Sequence, residues 1–283
     1  MKDEKKELAF EAGEDCGLLA CVRKELSAVP GGKVKSYLEH GCISVDGTVS
    51  RRFDCPVKKG QTVRVLLSKN SSYGCPLESI YEDAYLFAVN KPAGLLSVAS
   101  DTEKENTAIR LLRESGMPSL FVVHRLDRDT SGVLLFAKSE EIRDRLQETW
   151  DESIRREYLA VCEGIFAEKS GRRETYLRET QTHLVYSAKS GDGKRAVTNY
   201  EVVKDNGKYS YVRIRIETGR KNQIRVHMKE LGHPVVGDKK YGAHGNPLGR
   251  LGLHASALEF VHPATGKTVT LRARPDARFR LPK

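Results

Sequence analysis

Residues Val122–Lys138 read "VVHRLDRDTSGVLLFAK". Asp127 stands between Arg125 and Arg128, His124 precedes it, and the apolar run Val133–Ala137 follows at once. Flanking positive charges predict a carboxylate held ionised, below its ordinary titration range. Such a group suits a metal ligand, a salt-bridge anchor or a nucleophile. As a calcium loop the stretch would use Asp127, Asp129, Ser131 and Gly132 at its first, third, fifth and sixth positions. The twelfth position, which needs a bidentate glutamate, is Lys138, and a strand pattern follows where a helix is required. Calcium is therefore excluded. A turn anchored by a local ion pair stays open, because Asp, Thr, Ser and Gly are ordinary turn formers. Against it, four polar residues beside Val122 and Val123 are expensive for a mere turn if they face inward. A Thr130-Ser131-Gly132 turn can also present backbone N–H groups to a phosphate.

The rest of the chain sets the frame. Its 283 residues allow a large core and two domains. No apolar run approaches the roughly 18 residues of a membrane span. The opening "MKDEKKELAF" has no signal-peptide stretch, so a cytoplasmic protein is expected. The six cysteines form no C-x-x-C pair, and neither a zinc site nor a disulfide framework is expected. Net charge is +10; from Asp205 onward there are 16 Lys+Arg against 6 Asp+Glu, while the remainder holds 32 of each sign. The whole positive excess thus belongs to the C-terminal stretch, as expected of a nucleic-acid enzyme or, more blandly, of a basic face kept for solubility.

Residues 1–14 read as a charged tail. Residues 15–68 form a small unit: Leu18, Val22 and Leu26 at helical spacing, a second helix in "GGKVKSYLEHG" capped by Gly41, a hairpin turned at Asp46-Gly47, and a closing strand in "KKGQTVRVLL". A polar linker spans 69–78. From 79 to 283 strand candidates ("YLFAVN", "GVLLFAK", "REYLAVCEG", "HLVYSAK", "AVTNYEVV", "SYVRIRIET") outnumber helical windows ("TAIRLLRES", "EEIRDRLQETW", "NQIRVHMKEL"). That pattern predicts an α+β domain around a largely antiparallel mixed sheet flanked by helices.

"HRLDRDTSGVLLFAK" is very similar to the catalytic motif of the RluA-type pseudouridine synthases, which isomerise uridines in ribosomal or transfer RNA. "YEDAYLFAVNKPAGLLSV", "IRREYLAVCEG", "ETGRKNQIRVHMKELGHPVVGDKKYG" and "LGLHASALEFVHPATGK" resemble further motifs of that family, in order from Ile80 to Lys267. The N-terminal unit resembles an S4 RNA-binding domain, with Lys33, Lys35, Arg51, Arg52, Lys58 and Lys59 available to an RNA face. The resemblance implies Asp127 as nucleophile, Tyr158 stacking on the base and helping to remove its C5 proton, and Arg225 paired with Asp127. Arg125 would fill the space of an extruded base, with His124, Arg128 and Thr130 nearby. Lys221, Arg225 and Lys229, at i, i+4 and i+8, would form a basic helical stripe, its lysines meeting phosphates. RNA, more readily ribosomal than transfer RNA, would be the partner of a monomer needing neither metal nor cofactor. Asn222 stands where relatives often carry histidine and Trp150 where phenylalanine is common; both are expected to bear on substrate rather than activity. Two rivals differ in kind: a catalytically inactive RNA-binding or ribosome-assembly module, and a glycosidase pairing Asp127 with Asp129, whose side chains would point to opposite faces of an extended segment.

Overall fold

The computed structural model describes residues 7–39, 42–50, 52–67, 77–100, 103–104, 106–117, 119–188 and 191–282. Gly41, Arg51 and linker residues 69–76 lie outside that set. The chain divides into two compact units, one of Met1–Pro76 with Ile109–Ser119, the other of Leu77–Ala108 with Leu120–Lys283.

The first unit runs β1 (Glu7–Glu11), β2 (Cys16–Gly17), α1 (Leu18–Glu25), α2 (Gly31–Glu39), β3 (Ile43–Val45), β4 (Thr48–Val49), β5 (Pro56–Val57) and β6 (Thr62–Leu66). Its larger sheet has the order β1-β6-β3-β4. Asp46 and Gly47 both take left-handed backbone, φ 47° and 79°, as a two-residue hairpin turn requires. Leu18, Val22 and Leu26 enter one core with Val34, Leu38, Ile43, Val63 and Val65. The tail expectation fails over Glu7–Glu11, which pairs antiparallel with β6. Leu8 and Phe10 pack on that core while Glu7, Ala9 and Glu11 stay exposed. Five residues of alternation were too short to stand out among the charges before them.

After β7 (Glu78–Glu82), β8 (Leu86–Lys91) and α3 (Ala108–Glu114), the chain continues through β9 (Phe121–Val122), β10 (Ser131–Ala137), α4 (Glu140–Glu148), α5 (Trp150–Ser153), β11 (Arg155–Glu163), β12 (Ser170–Glu179), β13 (Val185–Ala188), β14 (Lys194–Asp205), β15 (Tyr209–Ile216), α6 (Gln223–Glu230), a 3-10 turn (Lys239–Tyr241), β16 (Leu253–Val261) and β17 (Thr268–Arg272). An eleven-stranded sheet has the order β13-β12-β14-β15-β11-β16-β10-β8-β7, with β17 on β16 and β9 on β10. Its pairings are antiparallel except β10 with β16. This is the α+β architecture the strand pattern predicts. Strand β12 went unread, because Arg172, Arg173, Glu174 and Arg178 leave only Leu177 as a buried apolar marker. Helix α6 starts at Gln223, so Lys221 precedes it and the expected three-residue basic stripe is broken.

The parallel contact between β10 and β16 is confined to Ser131–His254 and Gly132–Ala255. At Gly132 φ is +118°, and a Cβ there would lie 2.1 Å from the Ala255 carbonyl oxygen. Only glycine fits, since neither backbone can retreat without breaking the ladder. Gly132→Ala is expected to cost about 2–3 kcal/mol, combining backbone strain with overpacking. A urea melt with unchanged midpoint would contradict this.

Candidate active site

The loop from Val123 to Thr130 leaves β9 and enters β10, all seven of whose residues are buried. It is held from several sides. The Ser97 hydroxyl accepts from Leu126 N and donates to Leu126 O, both at 3.0 Å. Thr130 N donates to Asp127 O (3.2 Å). Lys91, fully buried, donates from Nζ to the carbonyls of Pro92 (3.0 Å), Leu95 (2.7 Å) and Arg128 (3.0 Å). These account for all three N–H bonds of an ammonium. Burial pulls the Lys91 ammonium down to about 7, opposed by the charges of Asp129 and Asp127. In the sequence, Lys91 shows only as a cation closing a mostly apolar strand.

His124 lines the cleft but is engaged by the protein. Its Nε2 accepts from Leu135 N (3.1 Å) and its ring stacks on Trp150 at 4.7 Å. An accepting Nε2 puts the ring proton on Nδ1, and burial, helped by the Arg156 charge, lowers the imidazolium to about 3. The ring is neutral and pins the loop to β10.

Asp127 keeps 34% of its side-chain surface open, enough for a reactant to reach the carboxylate. Burial pushes its carboxyl above the ordinary range, against the opposing charges of Arg225, Lys91 and Lys221. The expected depression by Arg125 and Arg128 is thus corrected. Both side chains are exposed, and desolvation outweighs the cations that do face the carboxylate.

The expected pairing with Arg225 needs a correction of degree. Arg225 Nη1 stands 3.8 Å from Asp127 Oδ2, a Coulombic approach without a hydrogen bond. Its fork is bidentate on Asp238, with Nε at 2.6 Å from Oδ2 and Nη2 at 2.7 Å from Oδ1. The Asp238 side chain is fully buried. Asp238 lay within a motif quoted from the sequence, yet no local pattern marked it as the clamp. Asn222 Oδ1 accepts from Arg225 Nη1 at 2.9 Å, so this departure from the family pattern touches the functional cluster directly.

Two lobes of one cleft meet at Asp127, sharing Arg125, Leu126, Arg220, Asn222 and Arg225. The smaller, about 570 Å³, is lined by Tyr158, Trp150, Arg156, Thr130, Ile216, Ile224 and Leu253. The larger, about 1050 Å³, is rimmed by Arg128, Asp129, Lys221, Lys239, Lys240 and Arg250. Tyr158 follows a bulge between Glu157 and Tyr158 in the pairing of β11 with β16. Burial raises its phenol to about 12, so it is protonated at neutral pH. Lys221 bonds Glu179 at the rim. Lys229 is exposed on α6 and lines neither lobe.

In the first unit, Lys33 and Lys35 are exposed on α2. Arg52 is forked on Asp54 (3.0 and 2.9 Å) and Lys58 is paired with Asp15 (2.7 Å), so both positive charges already have carboxylate partners. Arg51 falls outside the described residues. Among the described residues no group of three or more His, Cys, Asp or Glu could hold a metal ion, and no helix is long and apolar enough to cross a membrane.

The family model for RNA pseudouridylate synthase matches residues 85–230, which span the Asp127 loop, Tyr158 and Arg225. The tRNA pseudouridine synthase C of Haemophilus influenzae is 36% identical over 228 residues, covering 72% of this chain and 95% of that protein. The ribosomal large subunit pseudouridine synthase D of Zymomonas mobilis is 34% identical over 268 residues, covering 85% of this chain and 84% of that one. Among solved structures, human RNA pseudouridylate synthase domain containing 1 superposes with a TM-score of 0.60 at 26% identity, covering 71% of this chain and 84% of that one. Motif order, sheet and relatives agree: the chain belongs to the RluA-type family of RNA pseudouridine synthases, isomerases that act on RNA.

Proposed function

We propose that this protein converts a uridine of ribosomal RNA into pseudouridine with Asp127 as nucleophile, acting as a cytoplasmic monomer. One observation carries the reading: Asp127, with Arg225 3.8 Å away, stands where a lobe walled in part by Trp150 and Tyr158 meets one rimmed by lysines and arginines. A uracil is flat and largely apolar on its faces, whereas its backbone is polyanionic; the two lobes suit these two parts. Extrusion of the base costs a few kcal/mol, which phosphate contacts at Arg128, Lys221, Lys239 and Lys240 offset. Exposed Arg125 fills the vacated stack. The Asp127 carboxylate attacks either C1′ of the ribose or C6 of the uracil, and the N1–C1′ bond breaks. The freed base turns, C5 joins C1′, the C5 proton passes to solvent, N1 takes up a proton from solvent, and the carboxylate is released, so that atoms and charge balance. Nothing is oxidised or reduced, so the proposal includes no cofactor. Tyr158, protonated, stacks on the base and is better suited to donating a hydrogen bond than to abstracting the C5 proton.

The ribosomal assignment draws on coverage. Residues 77–283 make up about 73% of the chain. An alignment over 85% must therefore reach into residues 1–76, as that to the ribosomal relative does, whereas the 72% aligned to the transfer-RNA relative fits within residues 77–283. We read the first unit as an S4-like RNA-binding domain that presents Lys33 and Lys35.

The test uses ribosomal and transfer RNA labelled with 5-tritiated uridine, from cells lacking the gene. Purified protein should release tritium from ribosomal RNA. Because the ionised carboxylate reacts and burial raises its pKa, turnover should fall with acid at a pH above the value of about 4 typical of aspartate. Release from transfer RNA alone would overturn the choice of RNA. No release from either would overturn the function.

A further inference from the structure

The Arg225 guanidinium brings its Nη1 end to within 3.8 Å of Asp127. Asp238 takes the Nε–H and one N–H of Nη2, and Asn222 takes one N–H of Nη1, so each terminal nitrogen keeps one further N–H. Nη1 has two oxygen neighbours, Asn222 Oδ1 at 2.9 Å and Asp127 Oδ2 at 3.8 Å. We propose that Asn222 is a positioning residue that holds Nη1 off Asp127, so that Arg225 attracts the carboxylate without capping it. This rests on the reading of Asp127 as nucleophile given above.

The orientation of the Asn222 amide is forced by its partners. Arginine only donates, so Oδ1 must face Nη1, and Nδ2 then donates to the Tyr241 hydroxyl at 3.0 Å. That hydroxyl also accepts from Val185 N of β13 at 3.2 Å, and the Tyr241 ring lies under the guanidinium, 4.9 Å from Cζ to its centroid. Tyr241 is fully buried, which gives the amide a fixed anchor. Asn222 itself has left-handed backbone (φ 54°, ψ 15°) at the start of α6, a conformation that asparagine tolerates better than most residues. Buried and bonded at both ends, it cannot rotate away.

The energetic role follows from the distance. A carboxylate oxygen that accepts a charge-assisted hydrogen bond is stabilised as the anion and is a weaker nucleophile. At 3.8 Å the attraction persists, while the oxygen's lone pairs remain free to react. Without the Asn222 acceptor, the nearest acceptor for Nη1 is Asp127, less than an ångström beyond hydrogen-bond range.

Two substitutions separate this role from simple support of the fold. Asn222→Gly keeps the left-handed backbone and deletes the acceptor, so Nη1 closes on Asp127. The expected result is a roughly tenfold fall in kcat, KM for RNA within about twofold, and an acid limb moved to lower pH. Asn222→Asp keeps the acceptor but places a second carboxylate beside the first. Its acid limb should move the opposite way, to higher pH, because like charges disfavour ionisation. Limbs that move together, an unchanged kcat and limb in Asn222→Gly, or an effect confined to KM would each overturn the proposal. Should Asn222→Gly fail to fold, Tyr241→Phe removes the anchor and should shift the limb in the same downward direction; no shift would be equally fatal. Asp127→Asn belongs in the same assay. If it retains activity, the nucleophile reading falls; if it is dead while both Asn222 variants match the parent, only the present inference falls.

Discussion

Asp127→Asn is expected to lose at least about 10⁴-fold in turnover while RNA binding changes less than threefold. Asparagine has nearly the same shape, so the loop held by Ser97 and Lys91 has no reason to rearrange. On the proposed reading, what disappears is an oxygen that can carry a covalent bond to a nucleotide and leave again, because a neutral amide does neither at useful rates. The electrostatics of the fold point the same way. Burial opposes the charge on Asp127, so removing that charge should leave the melting temperature unchanged or raised. Tritium release, filter binding and a thermal melt on one preparation check all three statements. Turnover within tenfold of the parent would remove Asp127 from the chemistry, and a large loss of stability would make the activity result uninformative about it.

The second large effect is on stability. Asp238→Ala is expected to cost about 3–5 kcal/mol, because it leaves the Arg225 guanidinium in a nearly closed site without its bidentate partner. It also removes the side-chain acceptor for Tyr241 N at the start of the 3-10 turn. Arg225→Met in the same background should recover part of the loss, since the charge that was stranded is gone. The double variant is then more stable than the two single effects added together. Strict additivity in a denaturant series would show that the two residues do not act as a pair. Activity should fall in every member, because each one displaces or deletes the cation facing Asp127.

What could be read from the residues, and what could not, divides on physical lines. The Asp127 loop was legible because polar turn chemistry runs straight into a fully apolar strand, a contrast visible within a few residues. The Asp46-Gly47 hairpin was legible for a similar local reason. Strand β12 was not, since its outward face is Arg and Glu and half of its inward face is polar. Lys91 and Asp238 escaped because their importance lies in partners distant along the chain: Arg128 is 37 positions from Lys91, and Arg225 is 13 from Asp238. The sign of the Asp127 shift is hidden in the sequence for a related reason. Neighbours in sequence are not neighbours in space: Arg125 and Arg128 are exposed, while desolvation acts on the carboxylate regardless of sequence.

Nζ of Lys91 ties together two bends of the chain, the turn after β8 and the loop before β10, and the Arg128 carbonyl also receives Gly94 N at 2.9 Å. A crossing fastened in that way has little give, so most of the deformation during an encounter must come from the nucleic acid. Discrimination then follows from mechanics as much as from contacts. Under the proposed function, uridines in pliable bulges and junctions are expected to be modified in preference to those stacked in stiff duplex, whatever letters surround them.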